Sequence, residues 1–437
     1  MSTISANNVK ENIGQYMLAD GMDYIIDLNK SHGSWLVDGR DSTEYLDLFS
    51  MFASMSVGYN HPYMISNKDR LMQAALNKPT NSDIYSIEMA EFVDTMGRLA
   101  QPDYLPYAFY IEGGGLAVEN ALKAAFDWKV RKNLENGQSE GGSKIIHFKE
   151  CFHGRTGYTL SLTDSPDKRK TDYFPKFDWP RIHNPKVSFP ITDDVINDVK
   201  REEAKAVGQI ESVLAQYPGE IAGLIIEPIQ GEGGDNHFRE SFFRQLRKLA
   251  DEHEFLLIYD EVQTGIGLTG KMWAHQHYGE DCRPDIISFG KKTQVCGMFA
   301  GQRMDEVDDH VFKESSRLNS TWGGNLVDMV RFTLCLEIIE QENLISQVVE
   351  NGAYLKLGIE TIQSRYDNVS NARNLGLFGA FDLPNTKDRD KLIGLIADEG
   401  ALMLGCGYSS IRFRPHLNIS QSEIDQGLEM INRALSR

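Results

Sequence analysis

Short apolar runs separated by segments of helical spacing are the feature of this sequence that most restricts its fold. Five such runs are AFYI (108–111), KIIHF (144–148), AGLIIEP (222–228), FLLIYD (255–260) and DIISF (285–289). Near-continuous Ile, Leu and Phe are typical of strands buried on both faces, as in a parallel sheet. Their alternation with helical segments therefore predicts an α/β fold with a mainly parallel sheet flanked by helices.

The two ends of the chain follow other patterns. In residues 1–59, the stretch SWLVDGRDSTEYLDLFS alternates apolar and polar residues around DGRD, which predicts a hairpin. Residues 326–437 begin with a long helical stretch and continue with two strand-rich pieces, LGLFGAFDLP and SSIRFRPHL. We therefore expect a large α/β domain at residues 60–325 and a smaller α+β domain at 326–437, which segment 1–59 joins.

The composition excludes several kinds of partner. The 437 residues include 45 Lys and Arg against 63 Asp and Glu, a formal charge of −18, which argues against nucleic acid and anionic membranes. The five cysteines lack CxxC spacing, which predicts free thiols in a reducing compartment. The N-terminus does not resemble a secretory signal, and no apolar run approaches the roughly 18 residues of a membrane span. We expect a cytoplasmic protein without membrane contact.

Three glycines follow the first strand of the large region, in AFYIEGGGLAVENALKAAFDWK (108–129). Apolar residues at helical spacing come next, so the glycines precede a helix that packs one face on the sheet. The N–H groups of Gly114 and Gly115 could bind a phosphate at this helix N-terminus, or the glycines could only form a tight turn. The spacing matches neither GxxxxGK[ST] nor GxGxxG, which argues against a nucleoside triphosphate or a dinucleotide.

Polar residues follow three further strands, where ligands of parallel sheets bind. Asp260 ends one strand and needs a cationic or N–H partner if it is buried, although it could merely cap a loop. After another strand, Phe152 could stack on a flat ring and Arg155 could bind a carboxylate, while His153 is more often structural. Glu227 and Glu232 follow a third strand without the spacing of a calcium loop, and we expect no metal.

Two lysines, Lys291 and Lys292, follow Gly290 at the end of the fifth strand. Paired lysines are usually solvated, but a neighbouring cation and partial burial can lower the pKa of one amine until it attacks carbonyls. Together the strand ends offer a phosphate site, a carboxylate, an aromatic ring and an amine. Pyridoxal phosphate uses all of them, since it combines a phosphate, a flat ring with a basic nitrogen and an aldehyde. We read His275 and His277, in HQH, as surface residues.

The motifs YDEVQTGIGLTG and PDIISFGKK resemble the signature of class III aminotransferases, which are fold type I pyridoxal-phosphate enzymes. The stretches FHGRTGYTLSLT, FPKFDWPRI, IEPIQGEGGD and LNSTWGGNLVDMVR are similar to the branch that acts on L-lysine. The resemblance covers roughly residues 40–420. It implies transfer of the ε-amino group of L-lysine to 2-oxoglutarate, giving L-glutamate and 2-aminoadipate 6-semialdehyde, which cyclises.

The resemblance also implies roles for individual residues. Those that would hold the cofactor are Lys291 (the Schiff-base lysine), Asp260 (at the pyridine nitrogen), Gln263 (at the phenolic oxygen), Phe152 (on the ring face), Gly114 and Gly115 (at the phosphate) and Thr321 from a second subunit. The role of Thr321 requires a homodimer with shared active sites.

The substrate residues are implied in the same way. Arg155 would bind the α-carboxylate of lysine, and Arg412 that of 2-oxoglutarate and glutamate. Glu232 would pair with Arg412 when lysine binds and leave it when the dicarboxylate arrives, while Asn319 and Glu227 would line the site. Two alternatives stay open: another ω-aminotransferase, acting on ornithine or 4-aminobutyrate, or a catalytically silent relative that binds the cofactor or a partner.

Overall fold

The computed structural model describes residues 4–437. The strands are β1 (Trp35–Val37), β2 (Glu44–Asp47), β3 (Tyr107–Ile111), β4 (Lys144–Phe148), β5 (Arg181–Ile182), β6 (Ile221–Ile226), β7 (Ile229–Gln230), β8 (Asn236–His237), β9 (Leu256–Asp260), β10 (Ile286–Phe289), β11 (Cys296–Ala300), β12 (Ser370–Leu375), β13 (Phe378–Asp382), β14 (Ala401–Leu402), β15 (Leu404–Cys406) and β16 (Ser410–Phe413).

Helices connect most of these strands. They are α1 (Val9–Gly14), α2 (Ser50–Ala53), α3 (Pro62–Ser66), α4 (Lys68–Asn77), α5 (Ile87–Leu99), α6 (Gly114–Glu135), α7 (Gly157–Leu162), α8 (Asp193–Gln216), α9 (Glu240–Glu252), α10 (Leu326–Gln341), α11 (Leu344–Arg365), α12 (Thr386–Asp398) and α13 (Gln421–Leu435). The long helical stretch predicted after residue 326 is thus two helices, separated at Asn343, whose φ of 51° is left-handed.

Seven strands form the large sheet, in the order β3-β11-β10-β9-β6-β4-β5. The neighbours from β10 to β5 pair in parallel, whereas β11 is antiparallel to both β10 and β3. Each of the five predicted apolar runs overlaps one of these strands, and the predicted mainly parallel α/β sheet is confirmed. The sequence did not predict β5 or β11.

Helix α6 covers one face of this sheet because its small and branched residues recur on one side. Val118, Ala121, Leu122 and Ala125 are fully buried, as their spacing predicts, and the helix packs against β6, β10 and β11. Its N-terminus therefore lies at the edge of the sheet where the parallel strands end. This edge is where the predicted site residues follow their strands.

The two ends of the chain meet in a smaller sheet. β1 and β2 form the predicted hairpin, and β14 from the C-terminal region pairs in parallel with β2. β12, β13, β16 and β15 form an antiparallel sheet in that order. One cluster of buried apolar side chains has members from Leu46 to Ala434 and therefore extends across both predicted domain limits. The domain limits at residues 59 and 325 stay a prediction.

Two further expectations concern the whole chain. The cysteines are free, as predicted, and the structure shows that all five are buried: Cys151, Cys282, Cys296, Cys335 and Cys406. Within residues 4–437, no helix has both the length and the apolar character needed to cross a membrane. The cytoplasmic location stays a prediction.

Candidate active site

A cavity of about 230 Å³ lies where β4, β6, β9 and β10 end and α6 begins. Its lining residues are Gly114, Gly115, Phe152, His153, Gly154, Glu227, Asp260, Val262, Gln263 and Lys291. The structure thus brings together all the predicted cofactor residues except Thr321, and it adds His153. Their convergence follows from the parallel sheet, because the carboxyl ends of neighbouring parallel strands meet at one edge.

Lys291 and Lys292 have different environments. Lys291 lines the cavity, and among the described residues its Nζ has no hydrogen bond or ion pair. Burial, with help from the Arg412 guanidinium, lowers the pKa of Lys291 to about 8, which favours the nucleophilic neutral amine. Its φ of 53° is left-handed, a conformation that costs about 1–2 kcal/mol for such a side chain. Lys292 is fully buried outside the cavity lining, and its Nζ donates to the Ala53 carbonyl at 3.1 Å.

Asp260, the last residue of β9, is buried and has three hydrogen-bond partners. Its Oδ2 lies 2.7 Å from Nδ1 of His153, and its Oδ1 accepts from the Val262 N–H at 3.0 Å and the Ser288 hydroxyl at 3.3 Å. Burial alone would lower the pKa of His153, but the Cys151 thiol and the Asp260 carboxylate raise it well above its usual value. A charged imidazole at this position stabilises Asp260 as a carboxylate.

Gln263 is held by a pair of residues that the sequence interpretation missed. Its Oε1 accepts from Nε and Nη2 of Arg414, at 3.1 and 3.0 Å. Arg414 in turn forms a buried ion pair with Asp235, with 2.9 Å between Nη1 and Oδ2. Because the Gln263 oxygen is taken, its amide NH₂ is left as the donor that can serve the cavity.

The glycines leave room for an anion at the N-terminus of α6. Gly113 precedes the helix with a φ of 92°, and no side chain caps the first turn. A Cβ on Gly154 would lie 2.7 Å from the Thr159 hydroxyl and 2.9 Å from the Gly115 Cα. Only glycine fits at position 154. The uncapped N–H groups at the start of a helix attract phosphate.

Glu227 supports the wall of the cavity. Its two carboxyl oxygens accept hydrogen bonds from the backbone N–H groups of Phe152, at 2.9 Å, and Gly231, at 3.0 Å. Burial raises the pKa of Glu227 to about 7, and the nearby Asp260 acts in the same direction. Glu227 therefore fixes the backbone position of Phe152, whose ring lines the cavity.

Glu232 forms an ion pair with Arg412, with 3.2 Å between Oε2 and Nη1. Its other oxygen lies 2.7 Å from Nζ of Lys170. Burial opposes ionisation, but Arg412 and Lys170 together lower the pKa of Glu232 below its usual value. The pairing of Glu232 with Arg412 agrees with the sequence prediction, whereas Lys170 was not predicted.

Five predicted residues do not line this cavity: Glu232 and Arg412, which pair with each other, and Arg155, Asn319 and Thr321. Arg155, Asn319 and Thr321 are exposed in the chain described here. The Asn319 side chain accepts a hydrogen bond from the Ser320 N–H at 2.7 Å. The functional roles predicted for these three residues stay predictions, and an exposed position leaves Thr321 accessible to a second copy of the chain.

The expectation that His275 and His277 are surface residues is wrong for His275 and incomplete for His277. His275 is buried: its Nδ1 lies 2.8 Å from a Glu261 oxygen and its Nε2 lies 2.6 Å from the Tyr104 hydroxyl. His277 is half-buried, with Nε2 3.0 Å from the Thr269 carbonyl. The physical reason is Glu261, a buried carboxylate that needs hydrogen-bond donors. The position of Glu261 at a strand end was the sequence signal that could have shown His275 to be buried.

Comparison with known proteins identifies the family. The Aminotransferase class-III family matches residues 17–435, and the chain belongs to this family of fold type I pyridoxal-phosphate enzymes. It is 48% identical over 434 residues to the L-lysine-epsilon aminotransferase of Mycobacterium tuberculosis, covering 98% of this chain and 95% of that protein. The solved structure of lysine aminotransferase from the same organism, in the internal aldimine form, has a TM-score of 0.96 at 47% identity and covers 99% of both chains.

Other relatives are less similar to this chain. The 4-aminobutyrate aminotransferase of Dictyostelium discoideum is 34% identical over 432 residues, covering 94% of this chain and 85% of that protein. The L-lysine-epsilon aminotransferase of Amycolatopsis lactamdurans is 45% identical over 437 residues, covering 99% of this chain and 96% of that protein. The predicted family, fold and enzyme class are therefore confirmed.

Proposed function

We propose that this protein transfers the ε-amino group of L-lysine to 2-oxoglutarate, with pyridoxal phosphate as its cofactor. The products are L-glutamate and 2-aminoadipate 6-semialdehyde, which cyclises. The observation that supports the chemistry is the cavity that holds the Lys291 amine, the Asp260 carboxylate and the N-terminus of α6 together. The substrate follows from the 44–48% identity to L-lysine-epsilon aminotransferases, against 34% for a 4-aminobutyrate enzyme.

The residues of the cavity fit pyridoxal phosphate group by group. Gly114 and Gly115 offer uncapped N–H groups for the phosphate, and Phe152 offers a ring face for stacking. Asp260 offers a buried carboxylate for a protonated ring nitrogen, and the Gln263 amide offers a donor for the phenolic oxygen. When bound, the cofactor supplies an aldehyde for amines and a ring that withdraws electrons from the substrate carbon.

Lys291 carries the proton transfers in this proposal. Its pKa of about 8 leaves a useful fraction of neutral amine near neutral pH, so Nζ can accept a proton from the substrate carbon and return it. Asp260, which is held by His153 and the Val262 N–H, would place its carboxylate at the ring nitrogen of the bound cofactor. Both groups line the same cavity.

Two substrates of different charge must use one site in turn. We assign Arg155 to the α-carboxylate of lysine and Arg412 to the α-carboxylate of 2-oxoglutarate and glutamate. While lysine is bound, Glu232 neutralises Arg412 beside the apolar stem of the substrate. When the dicarboxylate binds, it replaces Glu232 at Arg412, which is why one pocket accepts both molecules.

The remaining assignments complete the site. Glu227 holds the backbone N–H of Phe152, and Asn319 would line the substrate site. Thr321 of the partner subunit would contribute to the phosphate site, so the proposed active form is a homodimer with shared active sites.

An amino-donor comparison tests the proposed function. Purified protein loaded with pyridoxal phosphate is mixed with 2-oxoglutarate and L-lysine, and glutamate and the cyclic imine are quantified. L-ornithine and 4-aminobutyrate serve as competing donors in parallel reactions. We expect the highest kcat/KM with lysine; a higher value with either control donor would overturn the substrate assignment. Protein that takes up no pyridoxal phosphate would overturn the enzyme class of this chain and favour a silent relative.

A further inference from the structure

Glu232 pairs with two cations at once. One carboxyl oxygen faces Arg412 at 3.2 Å, and the other faces Lys170 at 2.7 Å. Lys170 ends a short 3-10 helix, Lys168–Lys170, that the Asp167 side chain caps. The Lys170 ammonium also lies 5.9 Å from the ring centroid of Phe152, a residue that lines the cavity.

Glu232 needs a second partner because its side chain is only partly exposed to water. Its side chain is 25% exposed, against 30% for Lys170 and 6% for Arg412. A carboxylate in such a position is costly to leave unpaired, since it loses hydration without gaining an opposite charge. Any dicarboxylate that takes Arg412 therefore needs another cation to receive Glu232.

Other arginines near Glu232 are already engaged. A second cavity, of about 470 Å³, is lined by Glu232, Lys170, Arg169 and Arg389. Arg169 pairs with Asp167 at 2.8 Å. Arg389 pairs with Asp390 at 2.7 Å and donates to the Gly407 carbonyl at 2.9 Å. Within residues 4–437, the ion pair of Lys170 is the one with Glu232.

We propose that Lys170 is a positioning residue for the exchange of substrates, which holds Glu232 when a dicarboxylate occupies Arg412. This inference rests on the proposed function, in which Arg412 binds 2-oxoglutarate. While lysine is bound, Glu232 pairs with both Lys170 and Arg412. During the second half of the reaction, Glu232 pairs with Lys170 alone. No bond is made or broken by Lys170.

Removing Lys170 should affect 2-oxoglutarate and leave lysine unaffected. Without it, Glu232 binds Arg412 alone and more tightly, and a displaced Glu232 has no cation to receive it. Binding of 2-oxoglutarate therefore becomes weaker, by about three- to tenfold for a partly buried ion pair. The reaction with lysine keeps the pairing of Glu232 with Arg412 and should not slow.

The test separates the two halves of the reaction. In a transaminase, kcat/KM for each substrate reports its own half-reaction, so both values are measured for Lys170→Met, Lys170→Arg and the wild type. We expect Lys170→Met to lower kcat/KM for 2-oxoglutarate by about three- to tenfold, with lysine unchanged and Lys170→Arg restoring the wild-type value. Lys168→Met is the matched control, because Lys168 lies in the same short helix but faces Asp164 at 3.7 Å.

A second variant shows whether Lys170 acts through Glu232. In a Glu232→Gln background, Lys170→Met should cause no further loss for 2-oxoglutarate, since the charge it holds is gone. Equal losses with lysine and 2-oxoglutarate, no loss at all, or a full additional loss in the Glu232→Gln background would each overturn the inference.

A binding measurement keeps this inference separate from the proposed substrate. Glutarate, a dicarboxylate without a keto group, is titrated calorimetrically into the cofactor-loaded wild type and the Lys170→Met variant. We expect about three- to tenfold weaker binding to the variant. If lysine proved not to be the amino donor, this result would still support the role of Lys170. Unchanged glutarate affinity would overturn that role even if lysine were the donor.

Discussion

His153 Nδ1 lies 2.7 Å from Asp260 Oδ2, and both side chains are buried at the carboxyl end of the large sheet. A buried carboxylate keeps its charge only with partners, and His153 is the one titratable partner that Asp260 has among the described residues. His153 thus belongs with Asp260 in the chemistry of the cavity. Its imidazole positions the Asp260 carboxylate and takes no direct part in the reaction.

Replacing His153 by Phe should weaken cofactor binding. Asp260 would lose its charged partner while keeping only the Val262 N–H and the Ser288 hydroxyl, and a hydrogen bond to a charged group contributes about 1.5–3 kcal/mol. We expect the dissociation constant of pyridoxal phosphate to rise by about tenfold or more, with a matching fall in kcat. Absorbance titration of the apoprotein measures the affinity, and the pH dependence of the cofactor absorbance shows whether Asp260 still holds the ring proton.

The matched control for this variant is His253→Phe, at an exposed position after α9. It should bind pyridoxal phosphate as the wild type does. Wild-type affinity and an unchanged absorbance profile in His153→Phe would show that the contact with Asp260 is structural only.

Substitution of the two neighbouring lysines should give opposite results. Lys291→Ala removes the amine that lines the cavity, and kcat should fall by at least about 10³-fold. Lys292→Met keeps the length of a buried side chain and should retain covalent attachment of the cofactor. Borohydride reduction followed by peptide mass analysis identifies the modified lysine. A label on Lys292, or full turnover by Lys291→Ala, would contradict the assignment.

The strand ends of the site could be predicted because a parallel sheet brings them together. Asp260 and Lys291 follow neighbouring strands, and Ser288 pairs directly with Asp260 in the register of β9 and β10. An apolar run, a terminating glycine and a polar residue are local signals, so they can be read from the chain. The residues that orient those side chains could not be found in this way.

The missed contacts join distant parts of the chain. Arg414 reaches Gln263 across 151 positions, and Lys170 reaches Glu232 across 62. Nothing local in the sequence indicates which buried cation meets which amide or carboxylate. Strand β11 was missed for another reason. CGMFA is a short apolar run that begins at Cys296, and such runs do not distinguish strand from helix.

The low pKa of Lys291 predicts unusual reactivity in the apoprotein. At a pKa of about 8, half of the Lys291 amines are neutral at pH 8, against roughly 0.3% for a lysine of pKa 10.5. Acetylation by limiting acetic anhydride, followed by peptide mass analysis, should therefore rise with pH around a midpoint near 8 for this residue.

Two variants give the sign of the electrostatic contributions to this midpoint. Arg412 lowers the pKa of Lys291 and Glu232 raises it. Arg412→Met should therefore move the acetylation midpoint to higher pH, and Glu232→Gln should move it to lower pH. Shifts in the opposite directions would show that Arg412 and Glu232 do not control the pKa of the Lys291 amine.

The ion pair of Arg414 with Asp235 should contribute more to the free energy of unfolding than an exposed ion pair does. Both side chains are almost fully buried, and removing one partner of such a pair costs about 3–5 kcal/mol because the other charge is left unpaired. We expect Arg414→Met to lower the free energy of unfolding by this amount in urea titrations. Arg201→Met, which removes an exposed ion pair with Asp198, should have no measurable effect.

A double variant separates stability from function at the same site. Replacing both Asp235 and Arg414 by apolar residues, as in Asp235→Leu with Arg414→Met, removes both charges of the pair and should recover most of the lost stability. Cofactor affinity should not recover, because the Gln263 oxygen still lacks its donor. Recovery of both properties would show that Arg414 does not orient Gln263.

Gly154 should be intolerant of even a methyl group. Its φ of 124° is unfavourable for any other residue, and an added Cβ would press on the Thr159 hydroxyl at 2.7 Å and on the Gly115 Cα at 2.9 Å. Gly154→Ala should therefore displace the glycine turn and raise the dissociation constant of pyridoxal phosphate by about tenfold or more. Absorbance titration of the apoprotein measures this change.

Gly208→Ala is the matched control for the same substitution elsewhere. Gly208 lies inside α8, and a Cβ there meets no atom within 4 Å. Alanine in a helix interior is favoured over glycine by about 0.5–1 kcal/mol, so this variant should unfold at higher urea concentration and bind the cofactor normally. If Gly154→Ala bound pyridoxal phosphate as tightly as Gly208→Ala does, the glycine turn would not be the phosphate site, because its geometry would have changed without consequence.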